Sequence, residues 1–238
     1  MKPEFQIIIA GILLAGIGVL TKLMGVEVHP AVIAFYRVFF AMIILAILCP
    51  LVDKTTFKPV KKDLGMYAVI GLVLALNLSL TSYVYLRVPI QNLAVIASSA
   101  PFFVLILGYF ILRKKITKTK IITLLIAIIG LLIINPLKAE GGLLVYAIAI
   151  FLAFLEGILI VLMRKEDQNH FIGDVFWFLF FATIFLIPFP IVFGLGKLSI
   201  YVFIIGLIST VLGYFFYNLG LKKLEAEVAT IIATITIP

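Results

Sequence analysis

The sequence predicts an all-α integral membrane protein, and three observations carry the prediction. With 64% hydrophobic and 13% charged residues, a water-soluble fold would expose more apolar surface than soluble domains tolerate. The apolar residues fall in long, nearly charge-free runs separated by lysine-rich gaps. A bilayer core about 30 Å thick is crossed by about 20 helical residues rising about 1.5 Å each. Strand-like alternation punctuated by turns, the mark of a membrane barrel, is absent, so the backbone must close its hydrogen bonds within helices.

Taken in order, the first run is Gln6 to Met24. It lacks a small-residue cleavage site and equally apolar segments follow it, so it reads as a span and not as a secretory signal. The second, Pro30 to Val52, ends at the gap holding Lys54, Lys58, Lys61 and Lys62. The third, Leu64 to Leu86, stops at Arg87, and the fourth, Pro89 to Leu112, stops at Arg113, Lys114 and Lys115. Ile121 to Asn135 makes a short fifth, and Leu143 to Met163 a sixth closed by Arg164 and Lys165. Asp174 to Phe193 and Ile200 to Leu221 are the seventh and eighth; a ninth opens at Val228 and is cut at Pro238.

Charge orients these spans. Alternate gaps hold fourteen basic residues against four in the others, a bias that places the amino terminus and the even-numbered loops in the cytoplasm of a multi-pass cell-membrane protein. The net charge of +8 is therefore a topology signal. Loops this short cannot build the basic, aromatic-interleaved surface that nucleic acid needs, so the expected partner is the lipid bilayer and not nucleic acid. Cys49 alone excludes an internal disulfide, and no Cys/His cluster has ligand spacing, so no metal or other cofactor is expected. An intramembrane enzyme would need a nucleophile with a base, or an acidic pair, inside the bilayer. His29 and His170 sit in opposite-facing gaps, and Asp53, Asp63, Asp167 and Asp174 sit at span borders, where acids stay solvated. No enzyme is expected.

An internal repeat is legible. Asn92 to Pro101 can be laid over Ala229 to Pro238 with the prolines in register, and the same offset sets Asn77 over Tyr214 and Thr81 over Asn218. Ala15, Gly16 and Ile17 lie over Glu156, Gly157 and Ile158. If spans one to five repeat as six to ten, the odd number of crossings inverts the second copy. The chain is then expected to be a piece of a ten-span protein, carrying eight spans and the start of the ninth.

Several segments resemble the drug/metabolite transporter superfamily, EamA type, along essentially the whole chain. Ala10 to Leu23, with Lys22 near its end, resembles the family's first span, and Ala34 to Phe40 its second-span arginine motif at Arg37. Ala100 to Gly130, with Ala100-Pro101-Phe102, Leu112-Arg113-Lys114-Lys115-Ile116-Thr117 and Ile128-Ile129-Gly130, is similar to the fourth and fifth spans. One departure is Lys114, around which the family usually has an acidic residue. The resemblance implies ten helices in an inverted five-plus-five repeat, with residues 1–138 as the first repeat and 139–238 as an incomplete second. It also implies alternating-access movement, often export, of small metabolites such as amino acids, amines or nucleobases, with a small-molecule substrate as partner.

Polar residues inside spans point to a site by their cost, since hydrocarbon penalises them unless they face a cavity or a partner. Asn77, Thr81 and Tyr85 fall at i, i+4 and i+8, one face of span three, with Ser82 beside them. Span eight offers Thr210, Tyr214, Tyr217 and Asn218, span four Asn92 and Ser99, and span nine Thr230 and Thr234. These stripes would line a central cavity; the alternative is hydroxyls bonding back to their own helices. Asn77 and Asn218 weigh most, because an amide is not expected to satisfy itself within one turn.

Glu156 lies about eight residues, roughly 12 Å of helix, from Arg164, close to mid-bilayer. It is a candidate proton-coupling group or anchor for a cationic substrate; the alternatives are a structural carboxyl or an ion pair with Arg37. Arg37 and Lys22 are either structural charges reaching headgroups and carbonyls, or anion-binding groups. Pro101 and Pro238 remove helical hydrogen bonds at matching positions and are candidate gate hinges, or packed kinks. A structural or lipid-scrambling membrane protein is the competing class. It is distinguished by whether the stripes of spans three and eight converge on one enclosed cavity. Oligomeric state stays open, with a homodimer among the expectations.

Overall fold

Every regular element of the described residues is helical. The structure, a computed structural model, describes residues 1–25, 27–52, 63–114, 116–134, 142–165, 171–197 and 199–235. The helices are α1 (Pro3–Met24), α2 (Pro30–Val52), α3 (Leu64–Tyr85), α4 (Ile90–Ala97), α5 (Ala100–Leu112), α6 (Lys118–Ile134) and α7 (Leu143–Lys165). They continue with α8 (Phe171–Leu186), α9 (Pro188–Phe193), α10 (Ile200–Ile204), a π-helical segment (Ile205–Leu212), α11 (Gly213–Leu221) and α12 (Ala226–Ile235). Seven stretches of the described residues are long and apolar enough to cross a membrane. The predicted fifth span is the 17-residue α6, and the predicted ninth is the 10-residue α12; both are shorter than those seven. Pro238, Asp53, Asp167, His170 and the side chain of Thr234 lie outside the described residues.

Three predicted spans are interrupted. The fourth breaks between α4 and α5, where Pro101 has no N–H to continue the ladder. Serine hydroxyls fill in there: Ser98 donates to the Val95 carbonyl and Ser99 to the Ile96 carbonyl, which keeps carbonyls satisfied where hydrocarbon offers no donor. The seventh breaks at Ile187, immediately before Pro188. The eighth stays helical but widens into π geometry over Ile205–Leu212.

The spans cross between the two halves of the sequence. α3 packs on α8 and α7, α2 on α8 and the π-helical segment, α1 on α11, and α5 on α7 and α12. Large exposed side chains, such as Ile126 and Ile133 of α6 or Phe110 of α5, cover the outside, where acyl chains and not water would meet them.

Two of the closest crossings are built alike. A Cβ at Gly71 of α3 would lie 2.6 Å from Phe181 Cβ, 3.0 Å from the Phe178 carbonyl oxygen and 2.9 Å from Ala182 N of α8. A Cβ at Gly206 would lie 3.2 Å from Phe40 Cβ, 3.2 Å from the Arg37 carbonyl oxygen and 3.6 Å from Ala41 N of α2. Arg37, Phe40 and Ala41 thus have the spacing of Phe178, Phe181 and Ala182. The turns that follow also match: Leu86 N and Arg87 N donate to the Ser82 and Val84 carbonyls, as Lys222 N and Lys223 N donate to those of Asn218 and Gly220.

Gly206 to Asn218 is one residue longer than Gly71 to Ser82. The wide turn of the π-helical segment takes up that extra residue. The turns consequently set Ser82 opposite Asn218 and Thr81 opposite Tyr217.

Candidate functional site

Side chains from α1, α2, α3, α4, α5, α7, α11 and α12 enclose a cavity of about 160 Å³. Its wall is mostly apolar, with Leu14 and Ile17 of α1, Leu93 of α4, and Leu152, Leu159 and Met163 of α7. Into it project Arg37, Asn77, Thr81, Tyr85, Glu156, Tyr214, Tyr217 and Thr230. Asn77, Thr81 and Tyr85 of span three and Tyr214 and Tyr217 of span eight thus line the same cavity.

Two polar pairs fix this arrangement. Asn77 Nδ2 donates to Glu156 Oε2 at 3.2 Å, and Thr81 Oγ1 reaches Asn77 Oδ1 at 3.5 Å, so the amide is held along α3 while it meets the carboxylate of α7. Arg37 is 3% exposed, and its Nε donates to Thr210 Oγ1 at 2.7 Å. Thr210 in turn donates to the Ile205 carbonyl at 3.2 Å, five residues back, as the π-helical turn requires. Glu156 and Arg37 do not form the anticipated ion pair: the carboxylate takes Asn77 and the guanidinium takes Thr210, and the ion pairs within 4.0 Å among the described residues are elsewhere. Tyr217 and Thr230 share a hydrogen bond of 3.4 Å, and the Thr230 hydroxyl also bonds the Ala226 carbonyl at 2.6 Å.

Other predicted site residues lie outside the cavity. Asn92 is fully buried, and its Nδ2 donates to the Tyr146 hydroxyl at 2.7 Å. Ser99 returns to its own helix at 2.6 Å. Asn218 Nδ2 donates to the Tyr214 carbonyl at 3.0 Å, so this amide does satisfy itself within one turn, contrary to expectation; it borders a separate void of about 10 Å³ beside α3 and α8. Lys22 is exposed in the last turn of α1. Pro101 stands at the start of α5, just after the break.

Asp174 is not a solvated border acid. It is 4% exposed, and its Oδ1 accepts from the Tyr67 hydroxyl at 2.8 Å. The absence of the family's acidic residue around Lys114 is met from across the fold: Glu225 of the α11–α12 turn lies 3.6 Å from Lys114. Lys120 bonds both Glu225 and Glu227. Sequence reasoning missed this cluster, Tyr146 and the π-helical turn. The signal for the first was two acids, Glu225 and Glu227, directly after Lys222 and Lys223 in an otherwise apolar stretch.

Comparison with known proteins adds a family. The sequence model of a family described as the EamA-like transporter family matches residues 1–135 and again 143–237. The S-adenosylmethionine uptake transporter of Rickettsia bellii (strain RML369-C) is 29% identical over 122 residues, which is 51% of this chain and 41% of that protein. The pseudopaline exporter CntI of Pseudomonas aeruginosa (strain UCBPP-PA14) is 27% identical over 130 residues, 54% of this chain and 46% of that protein. The matched part thus spans less than half the length of either relative. A solved crystal structure of a protein, 12% identical, superposes with a TM-score of 0.75 over 100% of this chain and 85% of its own; the fold is shared.

Proposed function

The chain belongs to the EamA-like transporter family, and from that premise we propose that it moves a small metabolite, an amino acid, amine or nucleobase-like solute, across the cytoplasmic membrane by alternating access. The observation that carries this reading is that two polar pairs at the cavity wall, Asn77 with Glu156 and Arg37 with Thr210, join one half of the chain to the other. Asn77 belongs to the first and Glu156 to the second, and Arg37 to the first and Thr210 to the second. A solute seated among them touches both halves, so a rocking of one half on the other changes the side from which it is reached. The double match of the family model, the like-built crossings at Gly71 and Gly206, and the matched turns support an inverted repeat. The fourteen-to-four distribution of basic residues supports a cytoplasmic amino terminus.

Glu156 is the coupling group in this reading. Its side chain lines the cavity, and its Oε1 accepts no hydrogen bond from the described residues. A proton and a cationic amine then compete for one carboxylate. Under an inward proton gradient, that competition drives the solute outward. A lipid-scrambling role fits less well, because Arg37 and Asn77 are buried at a single cavity shared with Glu156. The test is a flux screen of amino acids, amines and nucleobases in proteoliposomes at two pH values. Saturable, pH-linked flux of one class is expected; pH-independent lipid scrambling with no saturable solute flux would overturn the reading.

A further inference from the structure

We infer that the cavity is a zwitterion site, in which Arg37 takes the carboxylate of a compact amino acid and Glu156 its ammonium. This rests on the transport reading and narrows its substrate class, setting aside amines and bases. The first ground is the geometry of Arg37. Among the described residues its hydrogen bond runs from Nε to Thr210, its two terminal nitrogens make none, and the side chain lines the cavity. A guanidinium anchored at Nε presents those two nitrogens as a fork, the shape that meets a carboxylate at both oxygens.

The second ground is that the scaffold does not need the charge. The matching crossing places Phe178 where Arg37 stands, against Gly71 in place of Gly206, and four residues on from that glycine it has Ala75 where the first crossing has Thr210. Phe178 and Ala75 are both 4% exposed and pack as ordinary core. One fold thus makes the same helix crossing once with an apolar pair and once with a buried cation on a hydroxyl. A buried cation costs far more than an apolar side chain unless it is paired, and Glu156 in the same cavity makes no contact ion pair with it.

The third ground is the opposite wall and the space between. Glu156 accepts from Asn77 at Oε2, leaving Oε1 for an ammonium, and although it and Arg37 feel each other's charge they make no ion pair within 4.0 Å. A cavity of about 150 Å³ takes up a molecule the size of benzene; the 160 Å³ here, with Leu14, Leu93 and Leu152 around it, suits a neutral amino acid with a small apolar side chain.

The experiment uses L-valine, isobutylamine and isovalerate, which differ only in the carboxylate or the amine, in counterflow exchange and thermal-shift titration of the protein. L-valine is expected to bind at least tenfold more tightly than either analogue. Arg37→Gln should erase the preference for valine over isobutylamine, a change of about tenfold to hundredfold. Thr210→Val should reduce the same ratio about tenfold and Thr210→Ser restore it, which keeps the test intact if Arg37→Gln does not insert. Isobutylamine binding as well as valine in the wild type, or a ratio that neither Arg37→Gln nor Thr210→Val moves, would overturn the inference. Saturable exchange of amines or adenine without valine would overturn it while leaving the carrier reading standing. No saturable exchange of any class would defeat both.

Discussion

Asn77 of α3 donates to Glu156 of α7 at 3.2 Å, a bond that ties residues far apart in the sequence together at the cavity wall. The amide is itself steadied from Thr81, one turn along α3. The carboxylate is therefore placed by the first half although it belongs to the second.

Glu156→Gln keeps the size of the side chain and its reach to Asn77 but removes the negative charge. Net flux should be abolished with normal membrane insertion. Transport by purified variant and wild type in proteoliposomes checks this, and wild-type flux from Glu156→Gln discards the coupling role.

Gly71→Ala and Gly206→Ala should both destabilise, the first more. A Cβ at Gly71 would come within 3.0 Å of backbone atoms on α8, whereas at Gly206 the nearest backbone atom is 3.2 Å away. Overpacking of this kind costs about 1–3 kcal/mol. Gly65→Ala, with nothing within 4 Å of its Cβ, is the control. Thermal unfolding in one detergent should rank Gly65→Ala above Gly206→Ala and Gly206→Ala above Gly71→Ala; equal melting temperatures for all three would contradict the crossings described.

The Lys120 ammonium, hydrogen-bonded to Glu225, holds this carboxyl below its ordinary value; burial opposes the shift and Lys114 adds to it. A carboxyl depressed in the folded state contributes stability above its unfolded value and loses it as the pH falls through the folded one. The contact between the α11–α12 turn and the segment Lys114 to Lys120 should therefore loosen only below the ordinary carboxylate range. Glu225 is 44% exposed, so the effect is small. Protease cleavage in that turn, followed against pH, should rise at the acid end in the wild type and lose that rise in Glu225→Gln.

The helices were legible because hydrocarbon leaves the backbone few choices, and the ends of α2, α5 and α11 fall where the apolar runs meet charge. Of the site, Asn77, Thr81, Tyr85 and Glu156 could be placed together because a helix repeats every three to four residues and a polar stripe among leucines stands out. Asn92 and Asn218 misled, since a buried amide bonded to Tyr146 or to its own turn looks the same in sequence as one facing a cavity. The pairing of Arg37 with Thr210 was not legible. It depends on a wide turn that shifts the register of span eight by one residue, and no residue type announces that turn.

A carrier of this kind must open its cavity alternately to the two sides of the membrane. The direct measurement is alkylation of Thr81→Cys in a Cys49→Ser background by a membrane-impermeant maleimide, applied to each face of oriented vesicles in turn. Labelling from both faces, suppressed by saturating L-valine or another transported solute, is the predicted result. Labelling from one face only, or labelling that no transported solute suppresses, would contradict it.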